Sequence, residues 1–324
     1  MKKIVIIGAG QIGSRHLQGL ANSKLEISIE VVDPFENSRV IAKQRYEEII
    51  NNSNIKSIDF YESISQLSDE LDVVIVSTGS NVRTKVVNEL VKLKKINNLI
   101  LEKVLFQTIE EYYAMEELLD KNNIKCWVNH FRRVLPFYKK LKEQLSNSKQ
   151  ISYMYQGGNW GLGCNALHFI DNLAYLVGST NLELTNNFLD KKIYDSKREG
   201  FIEFNGLLAG KIDNHVFTLY SNAEYTPGYL TISSDELIVK IDETQGIVKI
   251  SKKENEWKEE IIEEKILYFQ SELSDILIEN ILNNHICDLP TYKQAMELHI
   301  PFIESLLNHM NKINGKDNKL CPIT

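Results

Sequence analysis

The hexapeptide Gly8-Ala9-Gly10-Gln11-Ile12-Gly13 constrains this chain more than any other stretch. It follows a short apolar run, Lys3 to Ile7, and opens a segment with helical periodicity from about Ile12 to Ala21. Three glycines so spaced, between a strand and a helix, form the fingerprint of a dinucleotide-binding turn. Gly8 permits the tight turn, Gly10 lets the backbone approach a pyrophosphate, and Gly13 lets the helix pack closely on the sheet. The first N–H groups of the helix, at Gln11 and Ile12, then offer donors and a favourable dipole to the phosphates. A methyltransferase loop for S-adenosylmethionine is the chemical alternative, and the third glycine argues against it.

Asp33 stands 20 residues beyond Gly13, at the end of a second strand candidate, Ile27 to Val32. Its carboxylate can accept hydrogen bonds from a ribose and repels a 2′-phosphate, so NAD is expected over NADP. Arg39 is the nearby cation that points the other way.

The first half continues to alternate. A helix is expected from about Glu36 to Ile50, a doubly buried strand over Leu71 to Ser77, and a helix from Arg83 to Leu93. A strand over Asn98 to Leu101, a helix over Thr108 to Leu119 and a last strand over Ile124 to Val128 follow. Strands alternating with helices of this length imply a parallel, doubly wound α/β sheet, a Rossmann domain over residues 1–125. Ligands of such sheets bind outside the carboxyl ends of the strands. Ser77-Thr78-Gly79 and Glu102-Lys103 lie at two of those ends and are read as cofactor-binding.

After a helix over Leu135 to Leu145 the pattern changes. Strand candidates follow one another at 151–155, 201–204, 215–220, 229–232, 236–241 and 247–250. Short connections between consecutive strands suit antiparallel pairing. Helices are expected at 166–176, 271–282 and 292–310, and the acidic run Glu254 to Glu264 reads as a solvated face. Residues 126–324 are therefore expected to form an α+β domain with a large, mostly antiparallel open sheet.

A net charge of −7 disfavours nucleic acid as a partner. The four cysteines, Cys126, Cys164, Cys287 and Cys321, fit neither a metal knuckle nor a disulfide framework, so free thiols and no metal are expected. The apolar run at the N-terminus stops at Gly8, too short for a signal core, and no stretch nears the roughly 18 apolar residues of a membrane helix. A cytoplasmic protein without membrane partners is expected.

Three further segments carry chemistry: Asn129-His130-Phe131-Arg132-Arg133-Val134-Leu135-Pro136, Gly157-Gly158-Asn159-Trp160, and His168-Phe169-Ile170-Asp171. With the glycine turn and the Glu102-Lys103 pair, their order and spacing resemble the glucose-fructose oxidoreductase and inositol dehydrogenase (Gfo/Idh/MocA) family over nearly the whole chain. The resemblance implies an NAD(P)-dependent oxidoreductase that moves a hydride between nicotinamide and a sugar, polyol or nucleotide-sugar alcohol or ketone. It implies that Lys103 lies beside nicotinamide and substrate, and that His168 exchanges the proton of the substrate hydroxyl. These are the catalytic candidates, since histidine titrates near neutrality and a lysine ammonium stabilises a developing oxyanion. Arg132, Trp160, Asn165 and Asp171 are the substrate-binding candidates. His130 is a weaker acid/base candidate, His16 is read as structural and Tyr138 as packing.

Two positions depart from the family pattern. Val104 follows Lys103 where proline is usual, and Cys164 stands four residues before His168 where an aspartate is usual. These departures motivate the alternatives, a non-catalytic NAD-binding sensor or partner protein, or an NAD-dependent glycosidase or lyase. The open face of the second sheet is expected to support a homo-oligomer, dimer or tetramer.

Overall fold

The computed structural model describes residues 1–49 and 52–324, with residues 185–187 described through their backbone only. The chain divides into two compact units.

The first unit comprises Met1–Phe106, Glu110–Asn129 and Tyr268–Tyr292. Its elements run β1 (Lys2–Ile7), α1 (Gln11–Leu20), β2 (Ile27–Val32), α2 (Glu36–Glu47), β3 (Ile55–Tyr61), β4 (Glu70–Val76), α3 (Ser80–Leu93), β5 (Lys95–Leu101), α4 (Ile109–Lys121) and β6 (Lys125–Val128). The strands form one parallel sheet in the order β3-β2-β1-β4-β5-β6. The apolar runs of β1 and β4 are what a sheet covered on both faces requires, and these strands and β2, even at its Ser28 and Glu30, are buried almost throughout. Strand β3 was not anticipated from sequence. It carries Lys56, Ser57 and Asp59 and is only half-buried, as an edge strand can be. Helix α2 was expected to run to Ile50, which lies outside the described residues.

Register fixes the functional edge of this sheet. Ile7 pairs with both Val32 and Val76, Val76 with Leu101, and Leu101 with Val128. The residues that follow these strand ends, Gly8, Asp33, Ser77, Glu102 and Asn129, therefore start level with one another. The backbone bonds Gly8 N–H to Val32 O, Ser77 N–H to Ile7 O, Glu102 N–H to Val76 O and Asn129 N–H to Leu101 O carry the ladder one residue further. Strand order reverses between β1 and β4, which makes this edge the topological switch point.

The second unit comprises Gln107–Ile109, His130–Leu267 and Lys293–Thr324. A 3₁₀ turn (Phe131–Val134) leads to α5 (Pro136–Leu145), β7 (Ile151–Gly158) and α6 (Leu162–Val177). Then come β8 (Leu182–Leu189), the two-stranded ribbon of β9 (Tyr194–Asp195) and β10 (Ile202–Glu203), β11 (Gly206–Ile212), β12 (His215–Asn222), β13 (Thr226–Ser234), β14 (Leu237–Asp242), β15 (Ile247–Lys252) and β16 (Glu259–Glu263). The eight-stranded sheet has the order β16-β15-β14-β13-β7-β12-β11-β8. Only its β7–β12 pair is parallel, so the sheet is mostly antiparallel as expected. Strands β8, β11 and β16 were not anticipated. Part of the acidic run is thus the edge strand β16, and it is solvated as well. One face of the sheet buries Tyr153, Leu208, Phe217, Leu219, Leu230 and Ile232, with α6 packed on β11 and β12. The other face leaves Met154, Val216, Tyr220 and Tyr229 exposed.

Two helices close the chain, α7 (Ser274–Asn284) and α8 (Tyr292–Asn314). Helix α7 belongs to the first unit, although sequence reading ran the second domain unbroken from 126 to 324. Gly19 on α1 leaves room for this packing: a Cβ there would lie 2.8 Å from both the Gln270 carbonyl and the Ser274 Cβ. Among the described residues no helix is long and apolar enough to cross a membrane.

Candidate functional site

The glycine turn is shaped for a ligand on one side and closed by protein on the other. Gly8 has φ +94, which glycine alone adopts cheaply. A Cβ on Gly13 would sit 1.7 Å from the Gly8 carbonyl oxygen and 2.6 Å from Ser77 Oγ, whereas a Cβ on Gly10 would meet nothing within 4 Å. No side chain caps the start of α1. Ile12 is half-buried and Gln11 exposed at that start. Ser77 donates its hydroxyl to the Gly8 carbonyl at 2.7 Å, tying the end of β4 to the turn.

Asp33 is buried and grips the same turn. Its Oδ2 accepts the Ala9 N–H at 2.7 Å and its Oδ1 the Phe35 N–H at 2.9 Å. Arg39 donates to the Asp33 backbone carbonyl at 2.6 Å, so a carboxylate and a guanidinium sit together at the end of β2.

Glu102 is buried at the end of β5. His16 Nε2 donates to its Oε1 at 2.9 Å, and Asn129 Nδ2 donates to the same oxygen at 2.5 Å. Burial works to raise the Glu102 pKa, but His16, Asn129 and the Lys103 charge outweigh it and hold the carboxyl below its usual range. The other ring nitrogen of His16 lies 2.8 Å from Ser274 Oγ. His16, expected to be structural, links α1 to Glu102 and α7. Lys103 follows, half-buried, and its peptide bond to Val104 is cis.

Arg83 was missed by sequence reading. It is fully buried in the first turn of α3 and donates to the carbonyls of Thr78, Val104 and Leu105, the last at 2.7 Å. One guanidinium thereby binds the backbone of both Ser77-Thr78-Gly79 and the segment after Lys103. Nothing in a lone arginine near a helix start signals this. Gly79, half-buried, precedes α3 as its N-cap.

These residues fit a dinucleotide. The wall at Gly10 is open, the helix start is uncapped, and the Asp33 carboxylate stands at the end of β2 beside the turn. Thr78 Oγ1 and Asn129 Oδ1 are buried at the carboxyl edge without a hydrogen-bond partner, which a ligand with polar substituents would supply.

In the second unit, Cys164, Asn165 and His168 are half-exposed on α6, with Cys164 and His168 one turn apart on the same face. The His168 ring stands edge-on to Phe131 (centroids 5.2 Å apart) and to His130 (5.5 Å), and His130 stands edge-on to His299 (5.3 Å). His299 Nδ1 donates to the Ala295 carbonyl at 2.7 Å.

Arg132 and Asp171, expected to touch substrate, are instead committed inside this unit. Arg132 forms a buried two-bond fork with Glu243, at 2.9 and 2.6 Å, and lies 4.5 Å over the Phe169 ring. Tyr138, expected only to pack, also donates to Glu243, at 2.5 Å. Burial works against the Arg132 charge, but Glu243 outweighs it and holds the guanidinium ionised. Asp171 receives a second fork, from Arg133, at 2.9 and 2.7 Å. Burial pushes the Asp171 carboxyl up, against the pull of Arg133. Trp160 is half-exposed and donates its indole N–H to the Tyr220 carbonyl at 2.8 Å, edge-on to Tyr155 and Phe169. Asn165 donates to the Trp160 carbonyl at 2.7 Å, closing the turn before α6. Glu243 was also missed, because its partners lie more than 100 residues away.

The first unit is by these features a Rossmann domain with an edge open to a dinucleotide. Residues 2–130 match the family model described as oxidoreductase family, NAD-binding Rossmann fold (GFO_IDH_MocA). The chain has the fold of the Gfo/Idh/MocA oxidoreductases, and the match to that family's model is confined to the N-terminal residues. A Gfo/Idh/MocA family oxidoreductase from Vibrio cholerae superposes with a TM-score of 0.70 at 16% identity, over 98% of this chain and 100% of that one. An oxidoreductase from Agrobacterium radiobacter, solved with NAD⁺, L-tartaric acid and magnesium, gives 0.71 at 12% identity over 97% of each chain. The UDP-N-acetylglucosamine 3-dehydrogenase of Acidithiobacillus ferrooxidans gives 0.67 at 13% identity, over 94% of this chain and 96% of that one. No curated protein sequence matches the chain.

Proposed function

We propose that this protein is an NAD-dependent dehydrogenase or reductase acting on a hydroxyl or ketone of a sugar, polyol or nucleotide-linked sugar. The observation that carries the reading is the level edge of the first sheet. There Glu102-Lys103 begins beside Gly8, Asp33 and Ser77 because four strand pairs share one register. The bound nicotinamide supplies the hydride acceptor or donor. Lys103 then holds the substrate oxygen and stabilises the negative charge that develops on it. Glu102 is a poor base, since His16 and Asn129 already donate to its ionised carboxylate, and it acts by fixing the backbone that presents Lys103. His168, half-exposed on α6, takes the hydroxyl proton on oxidation and returns it on reduction. The family match and the fold shared with a nucleotide-sugar dehydrogenase support this substrate class.

Steady-state NADH formation with a panel of sugars, polyols and nucleotide sugars tests the reading. Lys103→Ala and His168→Ala should each lower turnover by roughly 10²–10⁴-fold. Full activity in both variants would remove the assignment of roles. NAD is the proposed cofactor on the strength of the Asp33 carboxylate, and Asp33→Ser should narrow the ratio of NADPH to NADH dissociation constants. The exposed sheet face with Met154, Val216, Tyr220 and Tyr229 is proposed to join copies into a dimer or tetramer. Light scattering that returns the mass of one chain at micromolar concentration would exclude this.

A further inference from the structure

Helix α6 carries His168, yet its own sequence gives it a weak beginning. Its N-cap is Gly161, in the left-handed region at φ +76, with no side chain to cap anything. Gly163 stands in the first turn, where glycine lowers helix stability, and the third helical position is Cys164 rather than an acid. The first N–H groups of a helix need acceptors from elsewhere.

They receive one from β10. Glu203 Oε2 accepts the Gly163 N–H at 2.7 Å, and Glu203 Oε1 accepts the Cys164 N–H at 3.2 Å. The two glycines make the approach possible: a Cβ on Gly163 would lie 3.0 Å from Glu203 Oε2, and one on Gly161 3.1 Å from Oε1. On the next residue, the Asn165 amide donates to the Trp160 carbonyl, so the whole segment from Trp160 to Asn165 is pinned by side chains. The carboxylate also meets the positive end of the helix dipole, a favourable charge pairing.

We propose that Glu203 is the positioning residue for the His168 helix, a carboxylate supplied from another strand that orders the first turn of α6 and thereby sets the His168 imidazole one turn on. Its consequence for turnover rests on the oxidoreductase reading above; its consequence for the helix does not. The family's aspartate position is Cys164 here, and the carboxylate at this turn arrives on the Cys164 amide instead. Glu203 acts through α6 and is not itself assigned to the reacting atoms.

The test compares wild type with Glu203→Ala and Glu203→Gln, each first checked for a cooperative thermal transition. Amide hydrogen exchange at Gly163 and Cys164 should quicken about 10-fold in Glu203→Ala, where a charge-assisted acceptor is lost, and less in Glu203→Gln, whose amide oxygen can serve one of the two N–H groups. In ¹⁵N-histidine-labelled protein, the ring signal of His168, identified by its loss in His168→Gln, should shift in Glu203→Ala while that of His285 in the first unit stays. With a working substrate, kcat should fall about 10-fold with the NADH dissociation constant unchanged. Unchanged exchange at Gly163 and Cys164, or an unmoved His168 signal, would overturn the proposal. Absence of hydride transfer in the wild type would instead sink the oxidoreductase reading and leave the exchange and ring signals to decide on Glu203.

Discussion

In the first unit, five residues from five strand ends reach one edge because the strands pair in register. In the second, the residues behind His168 are held by side chains 38 to 111 positions away in the chain. The first arrangement is carried by the backbone: a glycine that permits a turn, a helix start left open, a ladder extended by one bond. The second is carried by buried charge, in the Arg132–Glu243 and Arg133–Asp171 forks. The difference decides how each half should fail when a single residue is changed.

The largest effect is expected where charge is buried. Replacing Arg133 with Met strips Asp171 of its partner inside a closed environment, and removing one member of a buried pair typically costs about 3–5 kcal/mol. Urea unfolding should register that loss, with NADH affinity retained because the turn at Gly8–Gly13 is held by other groups. The double variant Arg133→Met/Asp171→Leu should recover most of the loss, since it leaves no lone charge behind. A single variant that unfolds like wild type would show that the fork contributes nothing and would erase the contrast between the units.

A smaller effect, divided in an informative way, is expected at the glycines. Alanine at position 13 drives a methyl into the Gly8 carbonyl and should cost about 1–3 kcal/mol, with loss of NADH binding. Alanine at position 10 meets no protein atom within 4 Å, so the melting temperature should hold while NADH binding weakens. If Gly10→Ala binds NADH as wild type does, the pyrophosphate does not pass over this turn.

The same contrast explains what could be read in the sequence. The Rossmann half was legible because its fold follows local rules: Gly8, Gly10 and Gly13 have the spacing the turn demands, and Leu71 to Val76 is apolar enough to be buried on both faces. The edge strand β3 escaped because Lys56, Ser57 and Asp59 break its alternation, and an edge tolerates that. Arg83 escaped because acceptors such as the Thr78, Val104 and Leu105 carbonyls belong to the backbone, which leaves no trace in residue type. In the other half, the family pattern points to His168 but carries no sign of the commitments of Arg132 and Asp171. A guanidinium facing substrate and one facing Glu243 look the same until the strand carrying Glu243 is placed. Glu203 is hidden for the same reason, and two glycines around a helix start, Gly161 and Gly163, are only a hint that something must come close.

The smallest effect concerns Glu102, where backbone and buried charge act together. Its folded-state pKa lies below that of the unfolded chain, because His16 and Asn129 donate to the carboxylate and Lys103 adds its charge against the cost of burial. The stabilisation is therefore fully present above the unfolded-state value and drains away as pH falls through the folded-state one. Glu102→Gln lacks this term at every pH. The stability difference between wild type and Glu102→Gln should be greatest near neutrality and should shrink steadily on acidification, as protonation makes the wild-type side chain resemble the amide. Denaturant midpoints for the two proteins along a pH series measure this directly. A difference that stays constant, or grows in acid, would mean that Glu102 is not held as an ion by His16. The first unit would then owe its site to backbone register alone, and its contrast with the buried forks of the second would be complete.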